Sequence, residues 1–114
     1  MSEFVEVKTA DLVGSALDYA TGIAAGAFEE GEFKFRAFNP STDWGHAGAF
    51  IERFEVTIYA PRHMTKKADG WAAHIYVVNH PCTFRGATPL IAACRAIVAS
   101  VLGETVSVPR ELLS

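Results

Sequence analysis

Between Pro89 and Leu102 nearly every side chain is apolar or small, and the only charge is Arg95. Both ends of this run carry helix signals. Thr88 can accept from the first free backbone amides, Pro89 stands where a missing N–H costs nothing, and Gly103 can take the left-handed conformation that ends a helix. A helix with no polar face must be covered on most sides, so this one is expected to form the spine of the core. Its lone guanidinium then needs an anionic partner, either a side chain or a ligand, because an unpaired buried charge costs several kcal/mol.

The rest of the chain alternates between two periods. Phe4 to Lys8 alternates apolar and polar, as a half-buried strand does. Thr9 is expected to cap a helix running to about Ala27, with Leu12, Ala16, Tyr19, Ala20, Ile23 and Ala27 as its buried stripe and Asp18 near the helix edge. Glu29 to Glu32 reads as an acidic turn and Phe33 to Phe38 as a second strand. Asn39 to Gly48 has no periodicity and reads as a loop, one that carries a Trp and a His that turn chemistry does not require. Alternation returns from Phe50 to Tyr59 and again from Trp71 to Val78, which predicts an antiparallel hairpin joined by a polar connection from Pro61 to Gly70. Asn79-His80-Pro81 stops the second strand. Val106 to Val108 reads as a short strand, and Arg110 to Leu113 as at most one helical turn. This order predicts a single α+β domain spanning residues 1–114: a mainly antiparallel sheet with two helices packed on one face, a two-layer sandwich. Helices on opposite faces, giving three layers, are the alternative.

Composition narrows the function classes. The chain has 114 residues, half of them hydrophobic, and ten Lys and Arg against thirteen Asp and Glu, a net charge of −3. The cations are scattered, which argues against a nucleic-acid polymer as partner. The start Met1-Ser2-Glu3-Phe4 has no signal-peptide pattern, and no apolar run reaches the ~20 residues that cross a bilayer, so the expected location is the cytoplasm and no membrane partner is expected. Cys82 and Cys94 form no C-x-x-C motif and read as packing residues. The apolar composition and short terminal strands fit a homo-oligomer.

No catalytic motif emerges. His46, His63, His74 and His80 lie at no zinc-ligand spacing, so neither a metal nor a cofactor is expected. There is no nucleophile elbow and no phosphate-binding glycine loop. The remaining candidate is a constellation. The helix start at Thr88 favours an anion, Arg95 lies two turns further on the same side, and the Ser41-Thr42-Asp43-Trp44 segment offers acceptors and a flat ring for stacking. Ser41, Thr42, Asp43, Trp44, Thr88 and Arg95 are therefore the candidate ligand-binding residues, suited to a small anionic compound such as a nucleotide. The competing reading is structural, with Arg95 paired to Asp18, Asp43 or Glu52 and Trp44 folded over the core.

Several of these segments together carry a resemblance. Thr9-Ala10-Asp11-Leu12 with Gly14, Ala16-Leu17-Asp18-Tyr19-Ala20, Asn39-Pro40-Ser41-Thr42-Asp43-Trp44, Ile51-Glu52-Arg53, Gly70-Trp71, Thr88-Pro89-Leu90-Ile91-Ala92-Ala93 with Arg95, Val98-Ala99-Ser100 with Leu102-Gly103, and Val106 with Val108-Pro109 resemble the NinX-like family of phage and prophage proteins. The likeness runs from about residue 7 to the end. Ala87 stands where the family usually has a proline, and Gly45 to Gly48 departs from its usual sequence after the Trp. The resemblance implies a phage-encoded intracellular protein and supplies no catalytic residues. By analogy with other small phage proteins, it suggests a non-enzymatic accessory protein that binds, and sequesters, a small anionic or nucleotide ligand to counter host defence. An alternative is a protein-interaction module acting on a host or phage protein through the Trp44 loop. The weakest reading is a nucleotide hydrolase using Asp43 and His46.

Overall fold

The computed structural model describes residues 3–27, 38–61, 70–76 and 82–113. In chain order the elements are β1 (Phe4–Lys8), a 3-10 turn (Thr9–Asp11), α1 (Gly14–Ala25), α2 (Trp44–Arg53), β2 (Thr57–Tyr59), β3 (Trp71–Ile75), β4 (Cys82–Gly86), α3 (Pro89–Leu102), β5 (Thr105–Pro109) and a final 3-10 turn (Arg110–Leu112). The fold is α+β, and all the strand pairs described are antiparallel. β1 pairs with β5, with Val5 opposite Val108, and β3 lies between β2 and β4 in a second sheet.

The spine is α3. Thr88 caps it, its side chain accepting from the Ile91 amide at 3.1 Å, Pro89 opens the first turn, and Gly103 follows the last at φ +93°. Helical spacing then sorts the side chains into two cores. Cys94 and Val98, four apart, pack with Leu12, Ala16, Leu17, Tyr19 and Ala20 of the α1 region and with Val106 and Val108 of β5. Ala92, Ala93, Ala96 and Ile97, on the opposite side, pack with Ala73, Ile75 and Cys82 of β3 and β4. The helix thus separates the two sheets, and its alanines let each layer approach closely.

Several expectations are corrected. The helix expected from Thr9 begins only at Gly14, because the Thr9 side chain is committed elsewhere: it is fully buried, its hydroxyl donates to Gly103 O at 2.7 Å and its amide to Glu104 O at 2.8 Å. Gly14, at φ +59°, supplies the bend into α1. Ala27 is exposed, outside the stripe assigned to it, whereas Leu17, Asp18 and Thr21 are buried. The expected loop from Asn39 to Gly48 becomes helix at Trp44, and the expected strand from Phe50 remains helical to Arg53, leaving β2 only three residues long. Phe50, Ile51 and Phe54 satisfy a helical stripe as well as part of an alternation, and all three pack on the second core. β3 runs from Trp71 to Ile75 and Tyr76 is no longer strand, while Val77 and Val78, the expected end of this strand, lie outside the described residues. β4 was not anticipated at all, although Cys82-Thr83-Phe84-Arg85 does alternate. The turn at 29–32, the strand from 33 up to Phe38, most of the 61–70 connection and the stop at 79–81 lie outside the described residues.

Two backbone positions carry measurable consequences. A Cβ on Gly86 would sit 2.7 Å from the Ala92 amide nitrogen and 2.8 Å from Ile91 Cγ2, so β4 abuts the first turn of α3 only because this residue is glycine. Glu55, which follows the end of α2, has φ +52°, a left-handed conformation that favours glycine. Gly86→Ala is expected to destabilise the protein by about 1–3 kcal/mol in denaturant unfolding. Glu55→Gly is expected to stabilise it by up to about 1 kcal/mol in the same measurement, since relief of the left-handed strain outweighs the added chain entropy.

Candidate functional site

The segment 39–46 is built from short-range bonds whose donors and acceptors are specified by its residue types. Asn39 O accepts from the Thr42 amide at 3.1 Å, the Asp43 amide at 2.9 Å and the Thr42 hydroxyl at 3.3 Å, closing a turn. Asp43 caps α2: its Oδ1 accepts from the Gly45 amide at 2.7 Å, and its carbonyl accepts from the His46 and Ala47 amides. Trp44 is the first helical residue and is 56% exposed, so its indole stands in solvent instead of folding over the core.

Two side chains from outside the turn hold it. Asp18 on α1, only 6% exposed, accepts from the Ser41 amide through Oδ1 at 2.8 Å. His46 on α2 accepts from the Asn39 amide through Nδ1 at 3.1 Å, while its ring stacks on Phe38 with centroids 5.6 Å apart. Phe38 also meets Phe50 edge-on at 5.9 Å. At the other end of α2, Arg53 Nη1 donates to Ala25 O at 2.7 Å, so the last turn of α1 and the last turn of α2 are joined. The small helix is therefore fixed at both ends, and Trp44 projects from its fixed start.

Asp18 corrects the expectation that it would lie at a helix edge. Burial raises its pKa above the ordinary carboxyl value, outweighing the opposite pull of the Ser41 amide, the Ser41 hydroxyl and His46. That hydroxyl is itself buried and lacks a hydrogen bond of full geometry. Burial likewise pushes the Cys94 thiol up to about 12, with the Asp18 charge adding to it and Thr21 opposing it. Burial, then Glu104, raise Cys82. Both thiols stay protonated at neutral pH, which suits packing and not nucleophilic attack.

Arg95 is answered by the main chain. Its Nε donates to Leu12 O at 2.9 Å and its Nη1 to Arg85 O at 2.7 Å, so the partner expected to be a carboxylate or a ligand includes two carbonyls. Those two bonds tie α3 to the approach to α1 and to the end of β4, and charge-assisted bonds of this kind contribute about 1.5–3 kcal/mol each. The six candidate residues thus fall into two groups. Ser41, Thr42, Asp43 and Trp44 surround the start of α2, whereas Thr88 and Arg95 serve the start of α3 and its neighbours. Asp18, Asn39 and His46 lie outside the six ligand-binding candidates; the sequence offered His46 only as a hydrolase residue and Asp18 only as a partner for Arg95, and the contacts seen here are with Asn39 and Ser41. A visible signal for Asp18 was a lone carboxylate amid Ala16, Leu17, Tyr19 and Ala20; nothing in the sequence paired His46 with Asn39.

An open cavity of about 240 Å³ lies elsewhere, between α1, the end of α3 and β5, where Tyr19, Ile23, Leu102 and Thr105 contribute to its wall. It includes none of the six candidates. Among the described residues, no group of three His, Cys, Asp or Glu side chains is placed to hold a metal, and no helix is long and apolar enough to cross a membrane.

The profile described as "Bacteriophage P22, NinX" matches residues 8–101, which takes in α1, the 39–46 turn, α2 and nearly all of α3. The chain belongs to the phage P22 NinX family. No curated protein matches it. In this NinX-family protein, Asp18 and Ser41 are drawn from separate segments of the resemblance and meet in the structure.

The raised carboxyl of Asp18 gives a signed prediction. A carboxyl raised in the folded state favours the fold most when protonated, so stability is fully present below the ordinary value of 3.8 and is lost as pH rises through the folded value. Asp18→Asn keeps an acceptor for the Ser41 amide without the buried charge. It is expected to abolish this segment of the pH–stability profile and to be at least as stable as wild type at pH 7. Asp18→Leu leaves the amide unsatisfied and is expected to cost about 1–3 kcal/mol. Thermal unfolding of the three proteins across pH checks both.

Proposed function

We propose that this NinX-family chain is a non-enzymatic phage accessory protein that works by binding a host or phage protein, and that the contact is centred on Trp44. The observation that carries this reading is the exposed indole on a fixed support. Trp44 is 56% exposed at the start of a helix whose cap, turn and far end are all bonded to the fold. Solvent-exposed tryptophans held in place lose little entropy on binding and are enriched among the residues that dominate interface energies. Beside it, Gly45, Gly48 and Ala49 are exposed and leave the helix surface low, so a partner can reach the ring. The polar atoms of Asp43, Thr88 and Arg95 identified above are engaged in caps and carbonyl bonds. This supports a partner that reads an apolar ring over one that needs an anion cradle.

A second reading is a small anionic or nucleotide ligand stacked on Trp44, with Ser41, Thr42, Asp43, Thr88 and Arg95 around it, sequestered in the host cytoplasm to counter defence. The observation favouring it is that the exposed indole stands at a helix N-terminus, where the dipole attracts negative charge.

Capture from phage-carrying cells with wild type and Trp44→Ala, followed by affinity measurement on the purified partner, tests the first reading. Trp44→Ala is expected to keep its Tm, as exposed substitutions usually do, and to weaken the partner by about 30-fold or more, the size of an interface hot spot. A partner held equally by both proteins contradicts the reading. A nucleotide released near one per chain from denatured wild type, and absent from Trp44→Ala, transfers the assignment to the second.

A further inference from the structure

The bond between the Asn39 amide and His46 fixes more than a turn. Because the amide donates, Nδ1 of His46 must be unprotonated, and the ring hydrogen is on Nε2. A second proton can therefore enter only at Nδ1, the atom already occupied as acceptor. Once it does, two donors face each other and the bond to Asn39 is lost. The structure also provides a receiver for the charged ring: Asp43 Oδ2 lies 3.9 Å from Nδ1, while Oδ1 of the same carboxylate caps α2. Asp18, from α1, is the other titratable group coupled electrostatically to the ring. Phe38, itself against Phe50, stacks on one face of the ring, and the side chain is 35% exposed, so solvent reaches it.

We propose that His46 is a proton-operated latch on the turn that presents Trp44: the neutral ring holds the Asn39 amide, and the protonated ring exchanges that bond for an ion pair with Asp43, releasing the front of the turn from α2. The proton comes from solvent and is carried on Nδ1, and no covalent bond changes. The Ser41 amide stays with Asp18, so the release is local and the helix cap survives. As regulation of the Trp44 surface the latch rests on the binding reading above, but its physical operation requires no partner.

The test follows the ¹⁵N-labelled full chain by NMR from about pH 8 to pH 5, the range in which imidazoles change charge. The Asn39 amide and the Trp44 indole resonances are expected to shift with the same midpoint as the His46 ring. Protection of the Asn39 amide from hydrogen exchange, corrected for the intrinsic rate, is expected to fall about tenfold across that midpoint. His46→Phe keeps a ring against Phe38 and removes the titration, so both resonances should be flat; Asp43→Asn removes the charge that receives the ring, so the midpoint should move down. Asn39 and Trp44 resonances that ignore the His46 midpoint, or that move equally in His46→Phe, would overturn the latch, and an unmoved midpoint in Asp43→Asn would contradict transfer to Asp43. A latch that titrates in a chain for which no protein partner exists would instead remove the binding reading and leave the device standing.

Discussion

The burial of α3 on two opposite sides is the constraint on which the rest depends. One helix has to satisfy the β1–β5 ribbon with α1 on one flank and the β2–β3–β4 sheet on the other. Small residues meet that demand, because alanine shortens the distance to each layer without leaving voids. The cost is sensitivity to size, which is most acute where Gly86 touches the first turn of α3. Arg95 belongs to the same constraint. Its long side chain leaves the helix and donates to carbonyls at Leu12 and Arg85, which lie just before α1 and at the end of β4. It therefore joins the two flanks across the helix that separates them.

The α2 region is built on a different principle. It has few large buried groups of its own and is held by directed bonds: Ser41 to Asp18, Asn39 to His46, Gly45 to Asp43 and Arg53 to Ala25. Directed bonds fix an orientation without enclosing the side chain they orient, so an indole can be both positioned and wet. Two of the four acceptors are titratable groups outside the capping pair, one buried on α1 and one on α2 itself. The turn that presents Trp44 therefore leans on two ionisable side chains, Asp18 and His46.

What was legible in the sequence follows from which forces act locally. Caps and periodicity are local, so α3, β1, β5 and the final turn were readable from Thr88, Pro89, Gly103 and simple alternation. α2 was hidden because Gly45 and Gly48 lower helix propensity and Phe50 and Phe54 fit two periods at once. Thr9 looked like a cap because its competing partner, Gly103 O, lies 94 positions away. The same limit applies to the site. Asp43 and Trp44 stood out by type, whereas the roles of Asp18 and His46 depend on contacts with Ser41 and Asn39 that only the tertiary fold creates. Arg95 posed the right question, and its answer in backbone carbonyls has no sequence signature.

Trp44 is presented by a rigid turn rather than a mobile loop. ¹⁵N relaxation of the free protein at neutral pH measures this directly. Backbone order parameters near 0.85 are expected from Ser41 through His46, matching the helices. Values below about 0.6 there, with rigid helices elsewhere, would contradict it.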